Sequence, residues 1–249
     1  MPNLEFLGVG AATDFARGQT SVLYRGRVAL LIDCGPQIPV AIVPRLSGPL
    51  GPSLLDGVYL THRHADHCFG LGGLLLWQRT QGRTKKLHLL GSTQTLSSVK
   101  TLLELGYPGA FAPEKCFPIE YTPLDPLVTF DFCDCGLSVA QTAHNVRNDA
   151  LCIDDGSTRI AFSGDGLHTA QSTELFTGCD LVVQECAYAE REHSHHMNFP
   201  RVLEMIEVAK PKRTVLVHCL EEQRAIVEAL VQKQRSNIQV AHPGDVISV

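Results

Sequence analysis

Three histidines and one aspartate fall within six consecutive residues: His62, His64, Asp66 and His67. Imidazole and carboxylate groups at this density are typical of a site for two divalent cations, and they suit zinc as well as manganese or iron. The apolar run Val58–Leu60 predicts a buried strand that delivers them. The two residues nearest the strand can share one metal, and the two on the next turn can hold a second. The other interpretation is a solvent-exposed, histidine-rich turn.

Three further candidate ligands each follow an apolar segment that is predicted to be a strand. His144 follows Leu137–Thr142, Asp165 follows Ile160–Phe162, and His218 follows Val215–Val217. A ligand at a strand end is held rigidly by the sheet while its side chain faces a cleft lined by loops. One such histidine alone is more often a hydrogen-bonded residue at the edge of the core. Together with the histidine cluster, however, the three residues predict a metal centre.

Hydrophobic periodicity predicts strands that alternate with helices along the chain. Strands are predicted at 4–9, 21–24, 28–32, 58–60, 87–90, 150–153, 159–162, 181–183, 214–217, 239–241 and 246–249, with several short strands within 116–142. Helices are predicted at 40–46, which would end at Ser47-Gly48-Pro49, at 69–79, 93–105 and 221–233, and after the N-cap Asn198. Asp154-Asp155-Gly156-Ser157 predicts a hairpin turn. This pattern predicts two sheets packed together with helices outside them.

The composition is that of an ordinary globular protein. The 249 residues suit one large domain or two small ones, and 44% of them are hydrophobic. The net charge of -5 argues against broad binding of nucleic acid by a basic face, although it leaves room for a local basic groove. The nine scattered cysteines form no disulfide pattern, and neither a secretory signal nor a membrane span is expected. A reducing cytoplasm is therefore the expected location.

The order of these motifs, HxHxDH followed by His144, Asp165 and His218, resembles the metallo-β-lactamase fold superfamily over nearly the whole chain. The early segment LLIDCG, which contains Asp33, is similar to the first motif of that superfamily. The resemblance implies an α/β fold, a four-layered αββα sandwich that makes residues 1–249 a single hydrolase domain with metals at one edge. Asp33 is expected to orient the histidine cluster rather than to bind metal.

The same resemblance implies which residues would hold the two divalent metals, for which zinc is expected, with manganese or iron as alternatives. The first ligand set would be His62, His64, His144 and Asp165. The second ligand set would be Asp66, His67, Asp165 and His218, with Asp165 bridging the two metals.

A narrower resemblance concerns the residues that would complete the chemistry. The opening LEFLGVG resembles that of ribonuclease Z and its phosphodiesterase relatives. In that family a glutamate and a histidine further along the chain act together. The resemblance therefore implies that His196 is the general acid and that Glu185 orients it. Asp66 is expected to be a further catalytic residue. The chain departs from the family by having glutamine before Glu185 and methionine after His196. His193 and His195 therefore remain rivals for the role of proton donor.

The spacing between two motifs bears on the substrate. Enzymes of the ribonuclease Z family that cut precursor tRNA insert a long arm between the third-motif histidine and the bridging aspartate. Only 21 positions separate His144 from Asp165, which leaves room for a hairpin. A small phosphodiester is therefore expected as substrate rather than precursor tRNA, as in the arm-less phosphoribosyl cyclic phosphodiesterase. The extra cysteine metal site of that enzyme has no counterpart, because residues 1–30 contain no cysteine.

Two other functions are also compatible with the sequence. The same metal pair could hydrolyse a carboxylic ester, as in a lactonase or a thioesterase, although such a reaction needs no donor pair like Glu185 and His196. The chain could also be a metal-binding module without catalysis, although the seven candidate ligands are all present. Relatives often form dimers, so a homodimer is also an open alternative.

Overall fold

The structure is a computed structural model that describes residues 1–46, 51–126, 128–234 and 237–249. In chain order its strands are β1 (Asn3–Gly8), β2 (Ser21–Arg25), β3 (Ala29–Ile32), β4 (Gly57–Leu60), β5 (Leu87–Gly91), β6 (Ile119–Pro123), β7 (Phe130–Phe132), β8 (Cys135–Gln141), β9 (Asp149–Asp154), β10 (Arg159–Phe162), β11 (Leu181–Glu185), β12 (Thr214–Val217), β13 (Ile238–Val240) and β14 (Val246–Ser248). Its helices are α1 (Ile38–Ile42), α2 (Ala65–Cys68), α3 (Leu71–Thr80), α4 (Thr93–Gly106), α5 (Ala170–Phe176), α6 (Phe199–Ala209) and α7 (Glu221–Gln234), with short 3-10 turns at Val43–Leu46 and Gly51–Ser53.

The strands form two mixed sheets of seven strands each. The first sheet has the order β14-β1-β2-β3-β4-β5-β6, and the second has the order β13-β12-β11-β10-β9-β8-β7. The neighbours from β3 to β6 are parallel in the first sheet, as are those from β10 to β13 in the second. Because parallel strands end at the same edge, the loops that follow them gather there.

Apolar side chains between the layers hold the sandwich together. One buried cluster lies between the two sheets and includes Phe6 and Tyr59 from the first and Phe162 from the second. A second cluster joins the first sheet to α1, α3 and α4, and two more join the second sheet to α5, α6 and α7. The order of layers is thus helix, sheet, sheet, helix, which confirms the predicted αββα sandwich. Within the described ranges, no helix has both the length and the apolarity that a bilayer span requires.

The helix predicted at 69–79 is α3, which begins two residues later, at Leu71, and Gly70 lies between it and the preceding turn α2. A Cβ atom on Gly70 would collide with the carbonyl oxygen of Gly35, so only glycine allows this close approach. The helix predicted at 40–46 begins earlier, at Ile38, and continues as a 3-10 turn to Leu46. Its predicted end at Ser47-Gly48-Pro49 lies outside the described residues.

Helix α5 is absent from the sequence-based prediction. Its seven residues are mostly polar or small, so they give little hydrophobic periodicity. The local signal is a capping box, in which the Thr169 hydroxyl accepts a hydrogen bond from the Ser172 backbone amide at 3.1 Å and the Ser172 hydroxyl accepts one from the Thr169 amide at 2.8 Å.

Candidate metal centre

The predicted histidine cluster lies where β4 ends. Strand β4 is fully buried, and His62 emerges from it with no exposed surface. His64 then has an extended backbone conformation and begins α2, the single helical turn that carries Asp66 and His67. A strand, a four-residue link and a short helix therefore direct these four side chains toward one place.

Asp33, at the end of the neighbouring strand β3, fixes the orientation of this segment. One of its carboxylate oxygens accepts the Thr61 backbone N–H at 2.8 Å, and the other accepts the Thr61 hydroxyl and His67 Nδ1, each at 2.8 Å. His67 Nδ1 is thus occupied, which leaves its Nε2 free to bind a cation. Asp33 is placed as expected for an orienting residue, whereas the sequence reasoning did not consider Thr61. Its position between strand β4 and His62 is the feature of the sequence that could have indicated this orienting role.

The structure brings together the four residues of the first ligand set. His62 Nε2 lies 3.0 Å from His64 Nδ1, which lies 3.2 Å from His144 Nε2. His62 Nε2 is also 3.8 Å from a carboxylate oxygen of Asp165. One ligand atom from each residue fits within a group whose members all lie within 4.8 Å of one another, a spacing that a single bound cation can span.

The second ligand set is equally compact and includes the same Asp165. The ring nitrogen His67 Nε2 lies 3.3 Å from a carboxylate oxygen of Asp66 and 3.5 Å from Oδ1 of Asp165. His218 Nε2 lies 3.4 Å from Oδ2 of Asp66 and 3.4 Å from Oδ2 of Asp165. Asp165 therefore belongs to both groups, each of which could hold a cation.

The hydrogen bonds around the first ligand set indicate that Nε2 of His62 and Nε2 of His144 carry lone pairs. His144 Nδ1 donates to the backbone carbonyl of His195 at 2.9 Å, so Nε2 of the neutral ring has no proton. The Thr61 hydroxyl donates to Asp33 and hence accepts from His62 Nδ1 at 3.0 Å, which leaves His62 Nε2 as the acceptor. Lone pairs that converge in this way fit a cation.

Burial and the lack of partners favour the same conclusion. Burial lowers the pKa of His62 well below its usual value. Burial also lowers the pKa of His144 to about 4, so both rings are neutral near pH 7, the state in which imidazole binds a cation. His67 Nε2 and Asp165 Oδ1 are buried 3.5 Å apart, and neither makes a hydrogen bond that meets ordinary geometry with any of the described residues, so a further group bound between them would offset the cost of their burial.

Glu185 and His196 form a pair beside the two ligand sets. Glu185 is the last residue of β11, is completely buried, and accepts a hydrogen bond from the Gly166 backbone N–H through Oε1. Its other oxygen, Oε2, lies 3.1 Å from His196 Nδ1. Burial opposes the charged form of His196, but the hydrogen bond and the negative charge of Glu185, with that of Asp165, outweigh it and raise the pKa of His196 to about 9.

The three adjacent histidines, His193, His195 and His196, have different surroundings. The His193 ring stacks on Tyr188 with centroids 5.2 Å apart, and its Nδ1 accepts the backbone N–H of His195 at 3.2 Å. The backbone carbonyl of His195 holds His144. Only His196, among the three, has its ring nitrogen against Glu185.

A short hairpin connects the loop of His144 to the turn of Asp165. Strands β9 and β10 pair directly, and the turn between them is closed by Asp155, whose carboxylate accepts the backbone N–H groups of Ser157 at 2.9 Å and Thr158 at 2.8 Å. Burial would raise the pKa of Asp155, but these hydrogen bonds and that of the Ser157 hydroxyl lower it to about 2. The 21 positions between the two site residues are thus used by a hairpin, as predicted.

Known proteins resemble this chain both in sequence and in fold. The family described as "Anti-Pycsar protein Apyc1" matches residues 2–246. A ribonuclease BN of Erwinia tasmaniensis is 36% identical over 278 aligned positions, which cover 87% of this chain and 88% of that protein. A ribonuclease Z of Methanococcus maripaludis is 31% identical over 131 positions, which cover 51% of this chain but only 40% of the length of that relative.

Two solved structures share the fold over nearly the entire chain. The metallo-β-lactamase fold protein YhfI of Bacillus subtilis superposes with a TM-score of 0.82 at 19% identity, covering 99% of this chain and 98% of that one. A diphosphatase of the PhnP family superposes with a TM-score of 0.77 at 18% identity, covering 100% of this chain and 98% of that one.

Proposed function

Because the chain belongs to the Anti-Pycsar protein Apyc1 family, in the ribonuclease Z-like branch of the metallo-β-lactamase fold, we propose that it is a metal-dependent phosphodiesterase acting on a small phosphodiester. We also propose that residues 1–249 form one hydrolase domain. The observation that carries the proposal is the Glu185–His196 pair, which lies beside two ligand sets that share Asp165. Metal ligands alone would suit many hydrolases, whereas an adjacent proton donor suits a reaction with a poor leaving group.

The proposed metal ligands are the residues of the first and second ligand sets, and their short separations support the proposal. His62, His64, His144 and Asp165 would hold one divalent cation, and Asp66, His67, Asp165 and His218 would hold the other. We expect zinc, with manganese or iron as alternatives, because imidazole and carboxylate ligands suit all three. Divalent cations bound there would lower the pKa of a water molecule and stabilise the negative charge of a phosphodiester in the transition state.

The residues of the chain would supply the proton for the leaving oxygen. Glu185 Oε2 accepts from His196 Nδ1, so the opposite nitrogen, Nε2, faces away from Glu185 and can carry the proton that is transferred. Although burial opposes the charged form, the hydrogen bond to Glu185 and the negative charge of Glu185 raise the pKa of His196, which favours the protonated ring. After transfer, the neutral ring retains its Nδ1 proton and its hydrogen bond to Glu185. Glu185 would therefore orient the ring and stabilise its charged form.

The proposal of a small substrate is supported by the short hairpin and by the charge of the chain. The segment in which tRNA-cutting enzymes of the ribonuclease Z family insert an arm is here a hairpin of two paired strands. The net charge of -5 also disfavours a long polyanion. One relative of this fold is named a diphosphatase, while others are named ribonucleases, so precursor tRNA belongs among the substrates tested.

A second candidate is hydrolysis of a carboxylic ester, such as a lactone or thioester, at the same ligand sets. The Glu185–His196 pair disfavours it, because such a reaction needs no donor pair of this kind. A metal-binding module without catalysis is disfavoured by the presence of all seven proposed ligands.

The first experiment is to purify the protein without chelator, count metals per chain, and assay bis-p-nitrophenyl phosphate and a simple lactone in parallel, each with added zinc or manganese. Two metals with turnover of the phosphodiester would support the proposal and justify a screen of cyclic and other small nucleotide diesters. Two metals with turnover of the lactone alone would favour the ester hydrolase. Metals without either activity would contradict the proposed substrate class.

A further inference from the structure

Asn148 is a fully buried carboxamide that none of the proposed chemical steps uses. It lies four residues after His144, just before β9, and has no exposed surface. Its Nδ2 group donates to the Thr142 hydroxyl at 2.8 Å and to the Ser163 carbonyl at 3.0 Å, while its Oδ1 accepts the Asp165 backbone N–H at 3.0 Å. Both Nδ2 protons and the oxygen are thus engaged around the turn that carries Asp165.

The turn that carries Asp165 has an unusual backbone, and the side chains of Asn148 and Thr142 cover it. Gly164 and Gly166, on either side of Asp165, have φ values of +59° and +105°, which favour glycine. A Cβ atom on Gly164 would collide with the Asn148 carboxamide, and one on Gly166 would lie 2.7 Å from Thr142 Oγ1. The turn and the two polar side chains therefore fit closely together.

The same two side chains hold the backbone of Asp165 from both sides. Asn148 binds its N–H, and the Thr142 hydroxyl donates to its carbonyl at 2.5 Å. Asn148 in turn binds the Thr142 hydroxyl, so the three residues form a closed ring of hydrogen bonds. Since the backbone of Asp165 is fixed at both peptide groups, the direction in which its carboxylate leaves the turn is also fixed.

Asn148 also connects this turn to the other segments of the site. Its backbone carbonyl accepts the Thr142 N–H at 3.1 Å, which closes the loop that carries His144. The N–H of the next residue, Asp149, donates to the Thr61 carbonyl at 3.1 Å, directly before His62. The segments that supply the first ligand set therefore meet at Asn148.

From these contacts, we propose that Asn148 is a positioning residue that sets the direction of the Asp165 carboxylate and thereby allows the two ligand sets to share it. The inference rests on the proposed two-metal function. Position 148 requires a carboxamide because its neighbours need two hydrogen-bond donors and one acceptor. A carboxylate of the same size has no donor for the Ser163 carbonyl, and the one hydrogen of the Thr142 hydroxyl is already donated to Asp165.

The test is Asn148→Asp, with Gln78→Glu as a matched control. Gln78 is also a fully buried carboxamide, but it lies in α3 and donates to the Pro52 carbonyl at 3.0 Å rather than to the backbone of a proposed ligand. Each substitution therefore places a carboxylate where a buried amide donor stood. For both variants and the wild type, the affinity for zinc is measured by competition with a colorimetric chelator, and the visible spectrum is recorded after cobalt substitution.

We expect Asn148→Asp to weaken zinc binding by about 10- to 100-fold, the range for residues that orient metal ligands, and to change the cobalt spectrum. Gln78→Glu should lower the melting temperature without changing either the affinity or the spectrum. Wild-type affinity and spectrum in Asn148→Asp would overturn the inference, even if that variant were less stable. A wild-type protein that binds no zinc would instead contradict the proposed function as well.

A second pair of variants keeps the test decisive if Asn148→Asp does not fold. Thr142→Val removes the hydroxyl that binds both Asn148 and the Asp165 carbonyl, while Thr142→Ser keeps it. We expect the valine variant to weaken zinc binding and change the cobalt spectrum, and the serine variant to restore both. Equal zinc affinity and equal spectra in the two Thr142 variants would overturn the inference.

Discussion

The two sheets supply the candidate metal centre in opposite ways. The first sheet contributes its ligands as one continuous segment, His62 to His67, which follows a single strand. The second sheet contributes residues from separate turns that range from His144 to His218, a span of 74 positions. The first arrangement depends on local backbone geometry, whereas the second depends on how the strands of the sheet are aligned.

The alignment of parallel strands explains how such distant residues meet. In the second sheet Phe162 pairs with Val183, and Glu185 pairs with Val217. The residues that follow β10 and β12, Asp165 and His218, therefore emerge at the same edge as Glu185 itself. A shift of register by one residue would turn these side chains to the other face, so the sheet core must specify the register that the site needs.

The strongest test of this comparison removes the residue that joins the two ligand sets. Asp165→Ala should reduce the metal content from two ions to less than one per chain and lower turnover by about a thousandfold or more, because charge stabilisation in the transition state is lost. Metal content is measured by mass spectrometry on the purified protein. Asp149→Ala serves as the control, since Asp149 is also a buried carboxylate of the second sheet but belongs to neither ligand set. Two retained metals in Asp165→Ala would contradict the bridging role.

A second test separates proton donation from metal binding within the second sheet. His196→Ala should lower turnover of alkyl phosphodiesters by about 100- to 1,000-fold, because their leaving oxygen needs a proton, and turnover of aryl diesters far less. The metal content should stay at the wild-type value. His193→Ala and His195→Ala are the matched variants, and smaller losses are expected of both. An equal loss on both substrate classes would remove the proton-donor role from His196.

The third test concerns the first sheet and has a smaller expected effect. Asp33→Asn keeps the acceptor for the Thr61 N–H but places an amide donor against the His67 ring, so zinc affinity should fall by about 10- to 100-fold. Asparagine also tolerates the positive φ of 60° at this position. Asp14→Asn, at another buried aspartate of the N-terminal half, should leave the affinity unchanged. Unchanged zinc affinity in Asp33→Asn would show that the segment from His62 to His67 takes up its orientation without Asp33.

The smallest effect is expected at the tip of the β9–β10 hairpin. Asp155→Asn should lower the melting temperature by about 2–4 °C at pH 7 and leave the metal content unchanged. The pKa of Asp155 is lowered to about 2, so its contribution to stability is present above the unfolded-state pKa of about 4 and is lost as the pH falls toward 2. The difference between the two proteins should accordingly shrink below pH 4 in thermal melts. A difference that is constant with pH would exclude the charge of Asp155 as its cause.

The sequence predicts the parts of this molecule that depend on local pattern. The strand before His62 and the hairpin after Asn148 follow from apolar runs and a turn motif, and the resemblance implied the αββα layers. Helix α5 could not be predicted in this way, because few of its residues are apolar. The break at Gly70 depends on contact with Gly35, which lies 35 positions earlier and is brought close only by the fold.

The polar residues behind the site were missed for the same reason. Thr61 and Asn148 carry no metal-ligand pattern, and their importance is evident only from the hydrogen bonds that they make to Asp33 and Asp165. The choice among His193, His195 and His196 also needed the position of Glu185, which lies eleven positions before His196. Sequence spacing alone gives no such distance between side chains.

The two ligand sets connect the two sheets at one edge, since each contains residues from both. Bound cations would therefore crosslink the two sheets, and separating the sheets would first require breaking metal–ligand bonds. We expect the lifetime of the native state, rather than its structure, to depend most on metal occupancy. Digestion by a protease should accordingly be slow in zinc and become much faster once a chelator is added, because the crosslink between the sheets is then removed.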